Sequence, residues 1–166
     1  MQLTSELMQQ GFSMRPALEC DFADYLSVKR ECFRSYVEQF YGKWDEEDQI
    51  SRNRAAFEAS LKQTCFICLM RHGKTVGFMG YDVLSEGIGG LSLQLTQSAR
   101  GFGLGTWFLN EVIRQSEQLG LPVSLKVFRG NPAQKLYARM GFAVCGETPS
   151  HILMQRDPIH TGGSTT

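Results

Sequence analysis

The segment LQLTQSARGFGLGT, from Leu93 to Thr106, carries the clearest structural signal in this chain. An alternating apolar stretch leads into a turn that contains three glycines, and an amphipathic helix follows directly. The first amides of a helix have no partner within the helix and lie at the positive end of its dipole, so an anion placed there finds several donors. Glycines keep the approach to these amides free of Cβ atoms. The segment therefore predicts a strand, an anion-binding turn and a helix.

Two common phosphate-binding loops do not fit the spacing of these glycines. The dinucleotide-binding fingerprint needs a third small residue where Thr106 stands, and it needs an acidic residue that is absent from residues 120–130. The P-loop needs a Gly-Lys-Ser or Gly-Lys-Thr sequence, and no lysine follows the glycines. The spacing that remains is Arg100-x-x-Gly103-x-Gly105.

The length of 166 residues predicts a single domain, to which we assign residues 1–157, with a flexible tail over residues 158–166. Seventeen basic and seventeen acidic side chains cancel, so the composition gives no support to a nucleic-acid partner. The amino-terminal segment has neither a basic region nor an apolar core, and no segment reaches the length needed to span a membrane. These features predict a soluble, cytoplasmic protein without a membrane partner.

Five cysteines are scattered along the chain, which is typical of reduced thiols. Cys65 and Cys68 have the spacing of a redox or zinc site, but they lie in the β-like run TCFICLM, where residues three apart point to opposite faces. No second cysteine pair or nearby histidine completes a metal site. We therefore interpret the pair as buried strand residues and predict no metal.

Hydrophobic periodicity and turn residues give the order strand, two helices, three strands, helix, strand, helix and two strands. The predicted strands cover residues 12–18, 64–70, 75–84, 91–96, 122–128, 142–146 and 151–155, the predicted helices cover residues 22–37, 45–62, 104–119 and 132–140, and residues 85–90 form a turn. Asp21 and Asn131 are expected to cap their helices, with Pro132 at the first helical position. A right-handed crossover should place strand 122–128 parallel to strand 91–96.

The connection from Tyr36 to Asp45 is unusually aromatic and acidic. A loop that exposes aromatic rings beside carboxylates is suited to form one wall of a site for a cationic or amphipathic ligand, and Tyr36, Glu38 and Trp44 are the candidate substrate-binding residues. Alternatively, the aromatic rings cap the core and the acidic side chains are solvated. The sequence leaves both interpretations open.

A second motif lies downstream of the glycine turn, Asn131-x-Ala133-x-x-Leu136-Tyr137-x-x-x-Gly141-Phe142. The two motifs, at this separation and on these predicted elements, resemble the cofactor-binding segments of the GNAT superfamily of N-acetyltransferases. The opening Arg15-Pro16-Ala17 followed by Asp21 is also typical, and the resemblance covers nearly the whole chain. It implies an α+β fold of three αβα layers around a mixed, mostly antiparallel seven-stranded sheet, in which two neighbouring parallel strands splay apart.

In this superfamily the gap between the splayed strands holds the pantetheine arm of acetyl-coenzyme A. The resemblance implies that main-chain groups of Leu93 and Leu95 pair with that arm, and that amides of the glycine turn bind the pyrophosphate with Arg100 beside it. It implies acetyl-CoA as the co-substrate, without a metal. The implied cofactor-binding residues are Leu93, Leu95, Arg100, Gly101, Phe102, Gly103, Leu104, Gly105, Thr106, Asn131 and Ala133.

The resemblance further implies direct attack of a neutral amine on the thioester, helped by backbone donors, a base and an acid. Tyr137 matches the usual acid of the superfamily, and an ordinary phenol keeps its proton at neutral pH. The alternative is that Tyr137 only continues the apolar stripe of its helix, and its position within the second motif favours the acid. No base is singled out, because Gly89 stands where some members carry a glutamate; Glu86, Glu38, Glu31 or a water chain remain open.

The acceptor implied by the resemblance is a primary amine of a small molecule or peptide, and its identity is not predicted. A homodimer remains open. Two other functions also remain open at this point. The chain could be a regulatory module of the same fold that binds acyl-CoA without catalysis. It could also be a nucleotide-binding protein of another fold in which the glycine turn binds the nucleotide. The latter leaves the motif from Asn131 to Phe142 unexplained.

Overall fold

Seven strands form one mixed sheet in the order β1-β2-β3-β4-β5-β7-β6, and five helices cover its two faces. The structure is a computed structural model that describes residues 1–159, so the predicted tail lies outside the described residues except for positions 158 and 159. The strands are β1 Phe12–Pro16, β2 Cys65–Arg71, β3 Lys74–Leu84, β4 Gly87–Leu95, β5 Val123–Phe128, β6 Ala143–Glu147 and β7 His151–Arg156. The helices are α1 Ser5–Gln9, α2 Phe22–Tyr41, α3 Glu46–Ser60, α4 Leu104–Leu119 and α5 Ala133–Arg139.

The two faces of the sheet carry separate hydrophobic clusters, because helices with apolar stripes must bury them against the sheet. On one face, α2 and α3 pack against β2 and β3 through an aromatic cluster that includes Tyr25, Phe57 and Phe78. On the other face, α1, α4 and α5 cover a larger cluster that includes Phe108 and Leu109 of α4. This arrangement confirms the predicted α+β fold with three αβα layers.

Strands β4 and β5 form the only parallel pair among the described strands, and they are joined at one position. Ile88 lies opposite Val123, and the Ile88 amide donates a hydrogen bond to the Pro122 carbonyl oxygen at 2.8 Å. Beyond this point the carboxyl-terminal half of β4 pairs with β3 alone. The predicted splayed parallel pair is confirmed, and it leaves an open strand edge from Leu91 to Leu95.

Two predicted boundaries are wrong by four residues, and the others differ by at most two. β4 begins at Gly87, four residues before the predicted strand, because Leu84 pairs with Gly87 across a two-residue turn and the ladder with β3 continues through the glycines. Pairing with a neighbouring strand overrides the weak strand propensity of glycine. α2 continues to Tyr41, so Tyr36 and Glu38 are helical rather than part of a loop, and Gly42 with φ +94° ends the helix.

The predicted caps differ in detail from those in the structure. Asn131 does act as a cap, since its Oδ1 accepts from the Ala133 amide at 2.9 Å, but α5 begins at Ala133, after Pro132. Asp21 does not accept from α2. Its carboxylate instead receives two hydrogen bonds from the Arg15 guanidinium, each 2.7 Å, which tie the end of β1 to the start of α2.

Cys68 is fully buried and Cys65 is partly buried in β2, as the strand interpretation predicted. Within residues 1–159, no group of three or more histidine, cysteine, aspartate or glutamate side chains is placed to hold a metal ion. None of the helices described is both long enough and apolar enough to cross a membrane.

Candidate active site

Two adjoining cavities open where β4 and β5 diverge. The outer cavity, about 620 Å³, lies between the glycine turn, α2 and α5. The inner cavity, about 250 Å³, lies deeper, between α2, β4, β5 and the start of β7. Phe33, Leu93, Asn131 and Ala133 line both, so the two cavities form one cleft that runs from the glycine turn into the protein.

The glycine turn has the backbone geometry of an anion site. Gly101 and Gly103 have φ values of +82° and +80°, which side-chain-bearing residues rarely adopt, and α4 begins directly after Gly103. Within residues 1–159, no backbone amide from Gly101 to Thr106 donates a hydrogen bond to another residue. A helix start with a run of unpartnered amides on an open cavity is suited to bind phosphate oxygens.

Gly105 serves a different purpose from the two glycines before it. A Cβ atom there would lie 3.0 Å from Leu136 Cδ2 and 3.4 Å from Leu93 Cδ2. The absent side chain therefore allows α4 to pack closely against both β4 and α5. This contact sets the distance between the two motifs that the sequence singled out.

Ten of the eleven predicted cofactor-binding residues line the outer cavity. The exception is Phe102, whose ring packs edge-on against Phe12 with a centroid distance of 5.2 Å and lies beneath the Arg71 guanidinium at 4.2 Å. Arg100 reaches back to the strand, because its Nε donates to the Leu95 carbonyl oxygen at 2.9 Å. The open edge of β4 and the glycine turn are therefore directly linked.

Tyr137 lies on α5 at the inner cavity and is 6% exposed. Its ring packs against Phe142, and its hydroxyl makes no hydrogen bond to any other residue in the described chain. Burial raises the pKa of Tyr137 to about 12, so the phenol holds its proton throughout the neutral range. The side chain is thus both part of the apolar cluster and a protonated donor at the cleft.

The inner cavity is basic. Lys29, Lys126 and His151 line it, and no aspartate or glutamate does among the residues described. The Lys29 ammonium lies 5.0 Å from the centroid of the Phe33 ring and 5.5 Å from that of Tyr25. Burial lowers the pKa of Lys29 to about 8; Cys32 opposes this shift, and Lys126 adds a smaller effect in the same direction as burial.

His151 is held at the inner cavity by contacts on two sides. Its Nδ1 lies 2.8 Å from Ser150 Oγ, which lies 2.8 Å from the Tyr41 hydroxyl, and its ring packs on Phe128 with a centroid distance of 4.1 Å. Burial, and then the positive charge of Lys126, lower the pKa of His151 below its ordinary value of 6.5. The imidazole is therefore neutral at pH 7.

Two polar atoms of β4 at the inner cavity are unpartnered. Ser92 Oγ and Gln94 Oε1 are buried and have no hydrogen-bond partner among residues 1–159, although both residues line the cavity. Buried polar atoms are almost always paired in folded proteins. An unpaired hydroxyl and an unpaired amide oxygen beside a cavity thus mark positions where a bound molecule can supply the missing partners.

The candidate substrate-binding residues are separated by the structure. Tyr36 lines the outer cavity and stacks on Phe128 at 5.2 Å and 8°, and Trp44 lines the inner cavity. Glu38 faces away, pairs with Arg34 at 2.8 Å on an exposed helix surface and lines neither cavity. Of the candidate bases, Glu31 lines the outer cavity, where its Oε1 accepts from the Gln97 amide, and Glu86 lines neither.

Several residues that line the cleft were not predicted from the sequence. Lys126 could have been found, because it is the charged member of the alternating strand VSLKVF and must project from the sheet face opposite Val127. Lys29 carried no such signal, since a lysine on an amphipathic helix usually faces water. The others lie on elements whose facing surfaces depend on tertiary packing: Phe33, Ser92, Gln94, Phe128 and Arg139.

Comparison with models of known protein families shows to which family this chain belongs. Residues 29–142 match the model of the acetyltransferase (GNAT) family. The chain belongs to the GNAT family. This stretch contains the glycine turn, β4, β5 and α5, so the family match covers most of the elements that form the cleft but not β7. A search of curated protein sequences finds no significant match.

Solved structures of other GNAT proteins share the fold. The PaiA N-acetyltransferase from Thermoplasma acidophilum, solved in complex with coenzyme A, superposes with a TM-score of 0.67 at 19% identity, covering 88% of this chain and 98% of that one. The ribosomal-protein-S18-alanine N-acetyltransferase from Escherichia coli superposes with a TM-score of 0.64 at 17% identity, covering 93% and 99%. At such identities the likeness concerns the fold alone.

Proposed function

We propose that this GNAT protein transfers an acetyl group from acetyl-CoA to a primary amine of a small molecule or peptide by direct attack. One observation carries the proposal. The unpartnered amides from Gly101 to Thr106 open onto the gap between β4 and β5, and the same gap leads to the inner cavity and Tyr137. An anion site, a strand-edge channel and a protonated donor thus lie along one cleft.

The residues of the outer cavity fit acetyl-CoA. The amides of the glycine turn would bind the pyrophosphate, with the Arg100 and Arg139 guanidinium groups at the same cavity to supply positive charge. The open edge at Leu93 and Leu95 would pair with the pantetheine arm as a strand would. When bound, acetyl-CoA supplies an activated acyl group. The complex of the Thermoplasma neighbour with coenzyme A supports this assignment.

Tyr137 is the proposed general acid. Its buried hydroxyl keeps its proton at neutral pH, has no competing partner in the described chain and faces the cavity that the outer cavity leads into. A phenol in this position can donate a proton to a departing thiolate. Its place in the apolar cluster does not compete with this role, because the ring packs while the hydroxyl remains unbonded.

His151 is the proposed general base. It is neutral at pH 7, whereas the Lys29 side chain on α2, which lines the same cavity, is mostly protonated at that pH. In the tautomer in which Nδ1 donates to Ser150 Oγ, the Nε2 lone pair is free to accept a proton from the attacking amine. Ser150 and Tyr41 would hold the ring in this orientation, which supports His151 over the candidate glutamates.

The test is an assay of thiol release with purified protein, acetyl-CoA and a panel of amino acids, amines, polyamines and peptides. The proposal predicts saturable binding of acetyl-CoA, measured by calorimetry, and acceptor-dependent release of free thiol. Binding with no turnover on any acceptor would replace the enzyme by a regulatory acyl-CoA-binding module. Absence of binding would contradict the assigned cleft altogether.

A further inference from the structure

The inner cavity combines two lysine side chains with an absence of carboxylates among the described residues that line it. Lys29 comes from α2, Lys126 from β5 and His151 from β7, so three separate elements bring basic groups to a single cavity. The described lining contains no acidic side chain that could neutralise Lys29 and Lys126, and His151 is neutral at pH 7. The cavity is therefore unsuited to a polyamine and suited to a ligand that carries an anion.

Lys29 lacks a protein counter-ion. It forms no ion pair within residues 1–159, and its nearest charged influences are Cys32 and Lys126 rather than a carboxylate. Its half-buried ammonium instead lies near the ring faces of Tyr25 and Phe33. Removing a charge from water without a partner is unfavourable, so an anionic group from a ligand would satisfy this lysine.

The unpartnered atoms of β4 supply the complementary half of a site. Gln94 is 3% exposed, and its Oε1 is a carbonyl oxygen, which can only accept hydrogen bonds. Ser92 Oγ lies two residues earlier on the same face of the strand. Both oxygens can accept a hydrogen bond, and neither has a partner within residues 1–159. An amine nitrogen carries N–H donors, so the same cavity offers partners to an anion and to an amine.

We propose that the inner cavity selects an amine acceptor that also carries a carboxylate, with the carboxylate bound by Lys29 and Lys126 and the amine by Gln94 Oε1 and Ser92 Oγ. The proposal rests on the acetyl transfer proposed above and names its acceptor class. The volume of about 250 Å³ is below the roughly 300–1,000 Å³ of drug-sized pockets, which favours a molecule the size of an amino acid. Phe33, Trp44 and Phe128 would contact an apolar side chain.

The experiment compares matched acceptors that differ only at the carboxylate, namely leucine with leucinamide and phenylalanine with phenylalaninamide. Each is assayed for thiol release with acetyl-CoA, and its binding to the CoA-loaded protein is measured by calorimetry. We expect kcat/KM about tenfold higher for each acid than for its amide. Amine basicity works against this result, because a larger fraction of an amino-acid amide is neutral at pH 7.

Lys29→Met should lower kcat/KM and binding affinity for the acids about tenfold and leave both amides unchanged within about twofold. Lys74→Met is the matched control, because Lys74 is exposed at the start of β3 and lines neither cavity, and it should change nothing. Acetyl-CoA affinity should be the same in all three proteins, which shows that the fold and the outer cavity are intact.

The two proposals fail in different ways. Turnover that prefers the amides, or an equal loss for acids and amides in Lys29→Met, would overturn carboxylate selection while acetyl transfer stands. Carboxylate-dependent binding without turnover would support the selection and contradict the enzyme. Equal binding of acids and amides would overturn the selection whether or not turnover occurs.

Discussion

Ile88 lies opposite Val123, and within residues 1–159 this is the single residue pair that joins β4 to β5 in register. Every other neighbouring pair of strands in the sheet is joined over at least four positions. The divergence after Ile88 is therefore confined to one seam of an otherwise continuous sheet. Because the glycine turn follows β4 and the second motif follows β5, this seam brings both motifs to one cleft.

The proposed role of Tyr137 as general acid predicts a selective loss of rate. Tyr137→Phe keeps the ring and its packing on Phe142 but removes the proton donor. We expect kcat to fall about 10²-fold while the affinity for acetyl-CoA stays unchanged. Steady-state kinetics and calorimetry on the same preparation measure both quantities. An unchanged kcat would remove Tyr137 from the mechanism and leave it as a core residue.

The proposed role of His151 as general base predicts a pH-dependent effect on rate. A base must be unprotonated, and burial lowers the pKa of His151, so its contribution should persist at pH 7 and disappear as the pH falls below the ordinary value of 6.5. The ratio of kcat/KM between the wild type and His151→Gln should thus be about 10² at pH 7 and decline in acid. Taking the ratio for one acceptor cancels the titration of the acceptor itself. A ratio independent of pH would exclude His151 as the base.

Carboxylate selection predicts an alkaline limit. Lys29 binds an anion only when it is protonated, and its pKa of about 8 places the loss of charge just above neutrality. The ratio of kcat/KM between the wild type and Lys29→Met, for leucine, should fall above pH 8. Lys126, His151, Cys32 and Tyr137 are the other ionisable side chains near this cavity, and all four are present in both proteins. Leucinamide should give a ratio near one at every pH.

The glycine turn allows a matched pair of substitutions. Gly103 and Gly73 have φ values of +80° and +78°, and a Cβ atom at either position meets no atom within 4 Å. Gly103→Ala and Gly73→Ala should therefore each lower the free energy of unfolding by about 1–2 kcal/mol. Only Gly103→Ala should weaken acetyl-CoA binding, because Gly73 lies in the β2–β3 turn. Equal acetyl-CoA affinities in the two variants would show that the glycine turn does not bind the cofactor.

Arg15 and Asp21 predict a pH-dependent contribution to stability. The hydrogen bonds from Arg15 lower the pKa of the largely buried Asp21 carboxyl, so its stabilisation is present above the unfolded value of 3.8 and is lost as pH falls through the lower folded value. Asp21→Asn should cost about 1–3 kcal/mol at pH 7, measured by urea unfolding.

The comparison for this ion pair is the exposed helix pair of Arg34 and Glu38. Glu38→Gln should cost only about 0.3–0.5 kcal/mol, as is usual for exposed pairs four residues apart on a helix. At acid pH, where the carboxyl protonates, the wild type and Asp21→Asn should converge. A cost for Asp21→Asn no larger than that for Glu38→Gln would contradict its structural role.

Local signals in the sequence predicted the order of the elements, the parallel pair and the position of the glycine turn, whereas the layers were implied by the resemblance to the GNAT superfamily. They succeeded because alternation, helical periodicity and the glycine spacing each depend on nearby residues. They failed at Gly87 to Gly90, where pairing with β3 rather than propensity forms the strand, and at Tyr36 to Tyr41, where α2 continues through an aromatic segment.

Most residues of the inner cavity, where we propose that the acceptor binds, could not be predicted from the sequence. The connection around Glu38 suggested a cationic or amphipathic ligand, whereas the structure directs Glu38 to solvent and brings Lys29 and Lys126 to the inner cavity. Helix α2, strand β5 and strand β7 meet only through long-range packing, which no local pattern encodes. The residues of the proposed cofactor side were predictable because they lie in two short contiguous motifs.

A crystal structure of the protein with acetyl-CoA tests the assigned cleft most directly. We expect the pyrophosphate oxygens to bind the amides from Gly101 to Thr106 and the pantetheine arm to lie along the edge of β4 at Leu93 and Leu95. The thioester should lie at the inner cavity beside Tyr137. Acetyl-CoA bound elsewhere on the protein, or bound at the glycine turn with its thioester directed away from Tyr137, would contradict this assignment.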